Sequence, residues 1–186
     1  MNTPDFLEFD KGLIYKGNLI EVKKIVVHNS VSAGNAYSSA NYNYTQTKIK
    51  NKNTGFAHYY VDDKNIIMLA RENWIARHSG KKEYNDISLG IEICSNPMAC
   101  LSKCTDFGVC PGIGSTENCN NSAVRKFIKA EKNALDLVYY LMYKWSLTEE
   151  DILFHSDVKN TACPFFTKKL HKLTKGSDFV QGLDSL

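Results

Sequence analysis

Short apolar runs alternate along the chain with longer amphipathic stretches. Residues 23–28 (KKIVVH) form a β-branched run between lysines and the pair Asn29 and Ser30, the pattern of a buried strand that ends at a histidine. Residues 56–61 and 66–69 are apolar or aromatic and are separated by Asp62, Asp63, Lys64 and Asn65, which predicts a β-hairpin. Residues 87–94 (ISLGIEIC) predict another strand, with Ile91 and Ile93 on one face and Glu92 on the other. Residues 152–155 (ILFH) are a further short apolar run that closes on a histidine.

Two stretches carry helical periodicity instead. Residues 38–50 lack Gly and Pro and place Ala40, Tyr44 and Thr47 in step with Tyr37, with Gly55 following closely. From Asn121 and Ser122, a helix-start pair, Val124, Phe127, Ile128, Leu135, Val138, Met142 and Trp145 recur at spacings of three and four. Strands interleaved with such helices predict an α/β domain with a mixed central β-sheet flanked by helices. No internal repeat or low-complexity segment interrupts it, residues 95–120 are irregular, and residues 176–186 read as the start of a linker or a terminal helix.

A length of 186 residues with 43% hydrophobic content suits one catalytic domain spanning residues 1–186. The formal net charge of +3 arises from acidic and basic residues mixed throughout, unlike the concentrated basic face that grips nucleic acid. Nucleic acid is therefore not an expected partner, whereas a polyanionic surface is permitted. No apolar run approaches the roughly 18 residues of a membrane helix. The first ten residues also lack a basic segment followed by an apolar one, so neither membrane insertion nor a signal peptide is expected.

Zinc takes imidazole nitrogen and thiolate sulfur, and a catalytic site uses three protein ligands with a fourth position left to water. His28, His155 and Cys163 supply such a set, and the eight-residue step from His155 to Cys163 leaves room for a loop to fold back. Taken singly, a histidine that ends an apolar strand is more often structural, and a lone cysteine more often packs as a small hydrophobe.

The segments KIVVHNS, GFAHYYVDDKNII, ENWIARHSG, SLGIEIC and HSDVKNTACP, in this order, resemble the zinc N-acetylmuramoyl-L-alanine amidases of the amidase-2 group. That group includes phage and bacterial cell-wall lytic amidases and the animal peptidoglycan recognition proteins. The resemblance runs from about residue 23 to residue 170 and is strongest to the lytic enzymes. It implies Zn²⁺ held by His28, His155 and Cys163, and hydrolysis of the amide between N-acetylmuramic acid and L-alanine in bacterial peptidoglycan. Glu92 takes the place of the acidic residue that handles protons, as alternation along its strand also allows; alone, it reads as a solvated strand residue. Thr161 stands where many bacterial members carry a lysine, and its hydroxyl is the expected oxyanion donor, with a turn-capping hydroxyl as the alternative. His78 resembles a histidine that faces the substrate. Ala57 departs from relatives with a tyrosine just before the position of His58, which leaves Tyr59 and Tyr60 unassigned. With no signal-peptide pattern, the enzyme is expected to be made in the cytoplasm and to reach the wall through lysis or a dedicated export route, and to act as a monomer. A non-catalytic peptidoglycan-binding domain of the same fold is the alternative reading.

Cys100, Cys104, Cys110 and Cys119 lie in an insertion at about residues 95–120 that the resemblance does not cover. Their spacings do not match paired zinc ligands, so a structural zinc is least expected; an enzyme acting outside the cell meets oxidising conditions, so two disulfides are expected ahead of free thiols. Cys94 is expected to pack in the core.

Overall fold

The structure is a computed structural model that describes residues 4–15, 21–30, 34–52, 54–95 and 121–183. Its centre is a six-stranded sheet in the order β1-β4-β3-β5-β2-β6. The strands are β1 (Leu7–Glu8), β2 (Lys24–Asn29), β3 (Tyr59–Val61), β4 (Ile66–Met68), β5 (Ser88–Ile93) and β6 (Ile152–Phe154). All neighbours run parallel except β3 and β4, the expected hairpin. The sheet is thus mixed and flanked by helices, as its sequence pattern predicts. The insertion with Cys100, Cys104, Cys110 and Cys119 lies outside the described residues.

Alternation decides which face each strand residue joins. Ile25 and Val27 of β2, Leu89, Ile91 and Ile93 of β5, and Tyr59 and Val61 of β3 point to one face. There they meet Phe127, Ala130, Ala134, Leu137, Val138 and Leu141 of the long helix α3 (Asn121–Trp145), which lays its apolar stripe across the sheet. The opposite face packs Tyr60, Ile67 and Cys94 against Phe9, Ala36 and Ala40. Because β2 is covered on both faces it reads as a continuous β-branched run.

Helix α1 (Ala36–Tyr44) begins at Asn35, whose side chain accepts from Ser38 N at 2.8 Å, and continues as a π-helical turn over Thr45–Ile49. Buried Asp62 ties three elements together. Its Oδ1 accepts from Lys64 and Asn65 N at 2.8 Å to form the hairpin turn, its Oδ2 accepts from Ala36 N, and its carbonyl accepts from Asn133 of α3. Further helices are α2 (Lys82–Asn85), α4 (His155–Val158), α5 (Phe165–His171) and α6 (Ser177–Leu183). Residues 177–183 are therefore helical, as one of the two sequence readings of this stretch has it. Residue 155, expected to end a strand, instead opens α4. No described helix is long and apolar enough to cross a membrane.

Glu72 fastens α3 to the hairpin from below. Its carboxylate accepts from Tyr59 Oη at 2.8 Å, Lys144 Nζ at 2.9 Å and Trp145 Nε1 at 2.5 Å while only 7% exposed. Replacing Glu72 with alanine strands a buried hydroxyl and an indole N–H, and we expect a loss of about 2–4 kcal/mol in urea unfolding.

Candidate metal and catalytic centre

The ends of β2 and β6 carry the first two candidate ligands. Parallel pairing of Val27 with Phe154 brings both strands to the same edge, so His28 and His155 emerge side by side with ring centroids 4.6 Å apart. Cys163 reaches them from the segment between α4 and α5, with its Sγ 3.8 Å from His28 Nδ1. One donor atom from each of the three lies within 4.8 Å of the others.

Asn29 holds this segment in place. Its Oδ1 accepts from Phe166 N at 2.9 Å and Thr167 N at 3.1 Å, capping α5 from across the sheet, while its Nδ2 donates to Thr167 Oγ1. Its backbone N–H also points to the Cys163 sulfur. The peptide bond between Cys163 and Pro164 is cis.

Glu92 stands beside His28. The two are register partners across β2 and β5, and Tyr60 is the register partner of Glu92 on the far side, so Tyr60, Glu92 and His28 form one row on one face. That row floors a cavity of about 700 Å³, walled by Ser38, Ser39, Tyr42 and Asn43 of α1 and by His78, His155 and Cys163. Glu92 Oε2 is buried without a partner among the described residues, and burial pushes its carboxyl up to about 7. Tyr60 is held far above the usual phenol range by burial and by the Glu92 charge, and its oxygen accepts from Ala57 N at 3.0 Å.

His78 lines the same cavity, but both ring nitrogens have protein partners: Nδ1 lies 3.1 Å from His28 Nε2, and Nε2 lies 3.3 Å from Ser88 O. Thr161 does not line the cavity; its Oγ1 accepts from Cys163 N at 3.3 Å, a local turn. His58 is fully buried, with Nε2 donating to Trp74 O at 2.8 Å and Nδ1 accepting from Gly90 N at 3.0 Å, so it stitches the hairpin to β5. His171 pairs with Glu131 of α3 at 2.7 Å, away from the cavity.

The donor set suits a borderline-soft divalent cation: two imidazoles and one thiol, with at least one edge of the cavity open. Donors about 2.0–2.3 Å from a tetrahedral ion lie roughly 3.3–3.7 Å apart, so the observed spacing needs only a small inward movement. Burial, then the neighbouring imidazoles, holds His28 well below the usual histidine range, which keeps its lone pair available at neutral pH.

Residues 18–165 match the Amidase_2 family, described as N-acetylmuramoyl-L-alanine amidase. The chain belongs to this amidase family. Its fold is that of the PlyL structure, with 24% identity, a TM-score of 0.65, and 90% of this chain and 86% of that one covered. The catalytic domain of XlyA gives 23% identity and a TM-score of 0.65 over 96% and 99% of the two chains. The N-acetylmuramoyl-L-alanine amidase LysC from Clostridium intestinale URNW gives 20% and 0.56 over 87% and 89%. No curated protein sequence matches the chain. At these identities the solved structures establish the fold of the amidase, and its family carries the activity.

Buried imidazoles make the metal-free amidase acid-sensitive. Burial lowers His58 to about 4 and His78 to about 3, and His28 falls in the same direction. Unfolded histidines protonate near 6.5, so below that pH the unfolded chain binds more protons and stability is lost as pH falls toward about 4. Glu92, raised to about 7, acts oppositely over the range 4.5–7, but one carboxyl stands against three imidazoles. The Tm of chelator-treated protein should therefore fall steeply between pH 6.5 and 4, and a flat profile there would contradict the buried, neutral state of these rings.

Proposed function

We propose that this amidase cleaves the bond between the lactyl group of N-acetylmuramic acid and L-alanine in bacterial peptidoglycan, with zinc held by His28, His155 and Cys163. The observation that supports the reading most directly is Glu92: a carboxyl with one oxygen buried and unpartnered, in the same row as His28, on the floor of the cavity. That oxygen satisfies no structural partner among the described residues, and its carboxyl lines the cavity that also holds the candidate ligands.

A divalent cation bound there supplies Lewis acidity, polarising the scissile carbonyl and acidifying a water molecule. Glu92 accepts the proton of the attacking water and delivers it to the alanine nitrogen as the bond breaks, a task suited to a carboxyl poised near neutrality. Tyr60, kept protonated by burial, borders the same carboxyl and keeps that side of the row neutral. Thr161 lies outside the residues that line the cavity and uses its oxygen to accept from Cys163 N–H, which supports the turn-capping role for its hydroxyl over the oxyanion role. The Cys163 thiol is pushed up to about 12 by burial and by Glu92, so capture of a cation releases its proton and tightens as pH rises. The substrate places the enzyme's action at the cell wall, reached by lysis or a dedicated export route, and the enzyme works as a monomer.

The test is digestion of purified peptidoglycan with and without a chelator. New L-alanine amino termini should appear, be lost on chelation and return with zinc. New reducing sugar ends would make the chain a glycosidase, and binding without cleavage would make it a recognition domain. Glu92→Gln should lower kcat by about 10²–10⁴-fold while zinc stoichiometry, read by atomic absorption, stays at the wild-type value.

A further inference from the structure

The segment of residues 78–79 touches both candidate histidine ligands at once. His78 Nδ1 lies 3.1 Å from His28 Nε2, and Ser79 O lies 2.9 Å from His155 Nε2. These contacts fix where the protons sit. A carbonyl oxygen only accepts, so His155 carries its proton on Nε2 and leaves Nδ1 bare.

The same logic runs through two rings on the other side. His78 Nε2 faces Ser88 O at 3.3 Å and Ser88 Oγ at 3.2 Å, and that hydroxyl already donates to Tyr84 O at 2.5 Å. His78 Nε2 is therefore the N–H. In the neutral ring Nδ1 is then an acceptor, so His28 must donate from Nε2 and its own Nδ1 is bare, facing the Cys163 sulfur at 3.8 Å.

We infer that His78 and the Ser79 carbonyl are positioning groups that lock His28 and His155 in the Nε2–H tautomer, so that both present Nδ1 to the cation. This rests on the reading of His28 and His155 as ligands. It gives His78 a different task from the substrate contact that sequence resemblance implies, because a polar contact with substrate would have to displace one of its two existing partners.

Two features show that the segment is built to be rigid. Asn85 Oδ1 accepts from His78 N at 3.1 Å and Ser79 N at 2.9 Å and lies 2.8 Å from Ser79 Oγ, so one buried amide oxygen pins both residues. Gly90 in mid-strand gives the ring its seat: a Cβ there would stand 2.5 Å from His78 Cγ. Outer partners of this kind orient a ligating imidazole and raise its basicity, and their loss costs about 10–100-fold in metal affinity.

The test compares His78→Phe, which keeps a ring but removes the acceptor, with His78→Asn, whose Oδ1 can stand in for Nδ1. Zinc dissociation constants come from competition with a chromogenic chelator, and cobalt-substituted protein gives the d–d absorption spectrum. His78→Phe should bind zinc about 10–100-fold more weakly with a changed cobalt spectrum, and His78→Asn should stay within about threefold of wild type. Equal zinc affinity and an unchanged cobalt spectrum for His78→Phe overturn the proposal while leaving the ligand assignment standing. Wild-type protein that takes up no zinc overturns the ligand assignment itself, and the proposal with it. If His78→Phe does not fold, long-range ¹H–¹⁵N spectra of wild-type imidazoles decide: Nε2–H for His28, His78 and His155 supports the proposal, and Nδ1–H at His28 or His155 ends it.

Discussion

The site depends on β2 running parallel between β5 and β6. Parallel neighbours end at the same edge of the sheet, so a histidine closing one strand and a histidine following the next arrive together; antiparallel pairing would send them to opposite edges. The register is equally constrained. A slip of one residue in β2 would rotate His28 into the layer under α3 and put Val27 in the cavity, at the cost of a buried polar group and an exposed apolar one. The hydrophobic pattern that builds the core thus also aims the chemistry.

Much of the fold was legible because it follows from periodicity. The strands around His28 and Glu92, the hairpin and the long helix α3 all carry patterns that only one kind of element satisfies. What escaped was structure held by tertiary contacts. β1 is two residues long and both are exposed, so nothing in its composition marks it; only pairing with β4 makes it a strand. Helix α4 is four residues of mostly polar sequence, ordered by Asp157, whose Oδ2 accepts from Phe154 N and Gly176 N. The π-helical turn after α1 likewise has no local signature.

For the site, the sequence shows the candidate residues but not their partners. His28, His155 and Cys163 stand out as a ligand set and through resemblance, and Glu92 through resemblance, with alternation in its strand only allowing the role. Asn29 and Asn85 do not, since an asparagine next to a histidine or in a short helix has many ordinary uses; their roles exist only once segments far apart in the chain meet. One signal was present and unread. A glycine inside the otherwise apolar strand ISLGIEIC announces that something approaches the backbone closely, and at Gly90 that something is the His78 ring.

Asn29 follows His28 in the chain, yet its side chain caps the helix that follows Cys163. Strand end and thiol loop are in this way parts of one rigid piece, although 135 positions separate His28 from Cys163. Moving one arm relative to the other therefore means tilting strand, cap and loop together, which a close-packed sheet resists. The spacing of His28 and Cys163 is in this sense a mechanical property of the fold, set by how stiffly the two arms are joined.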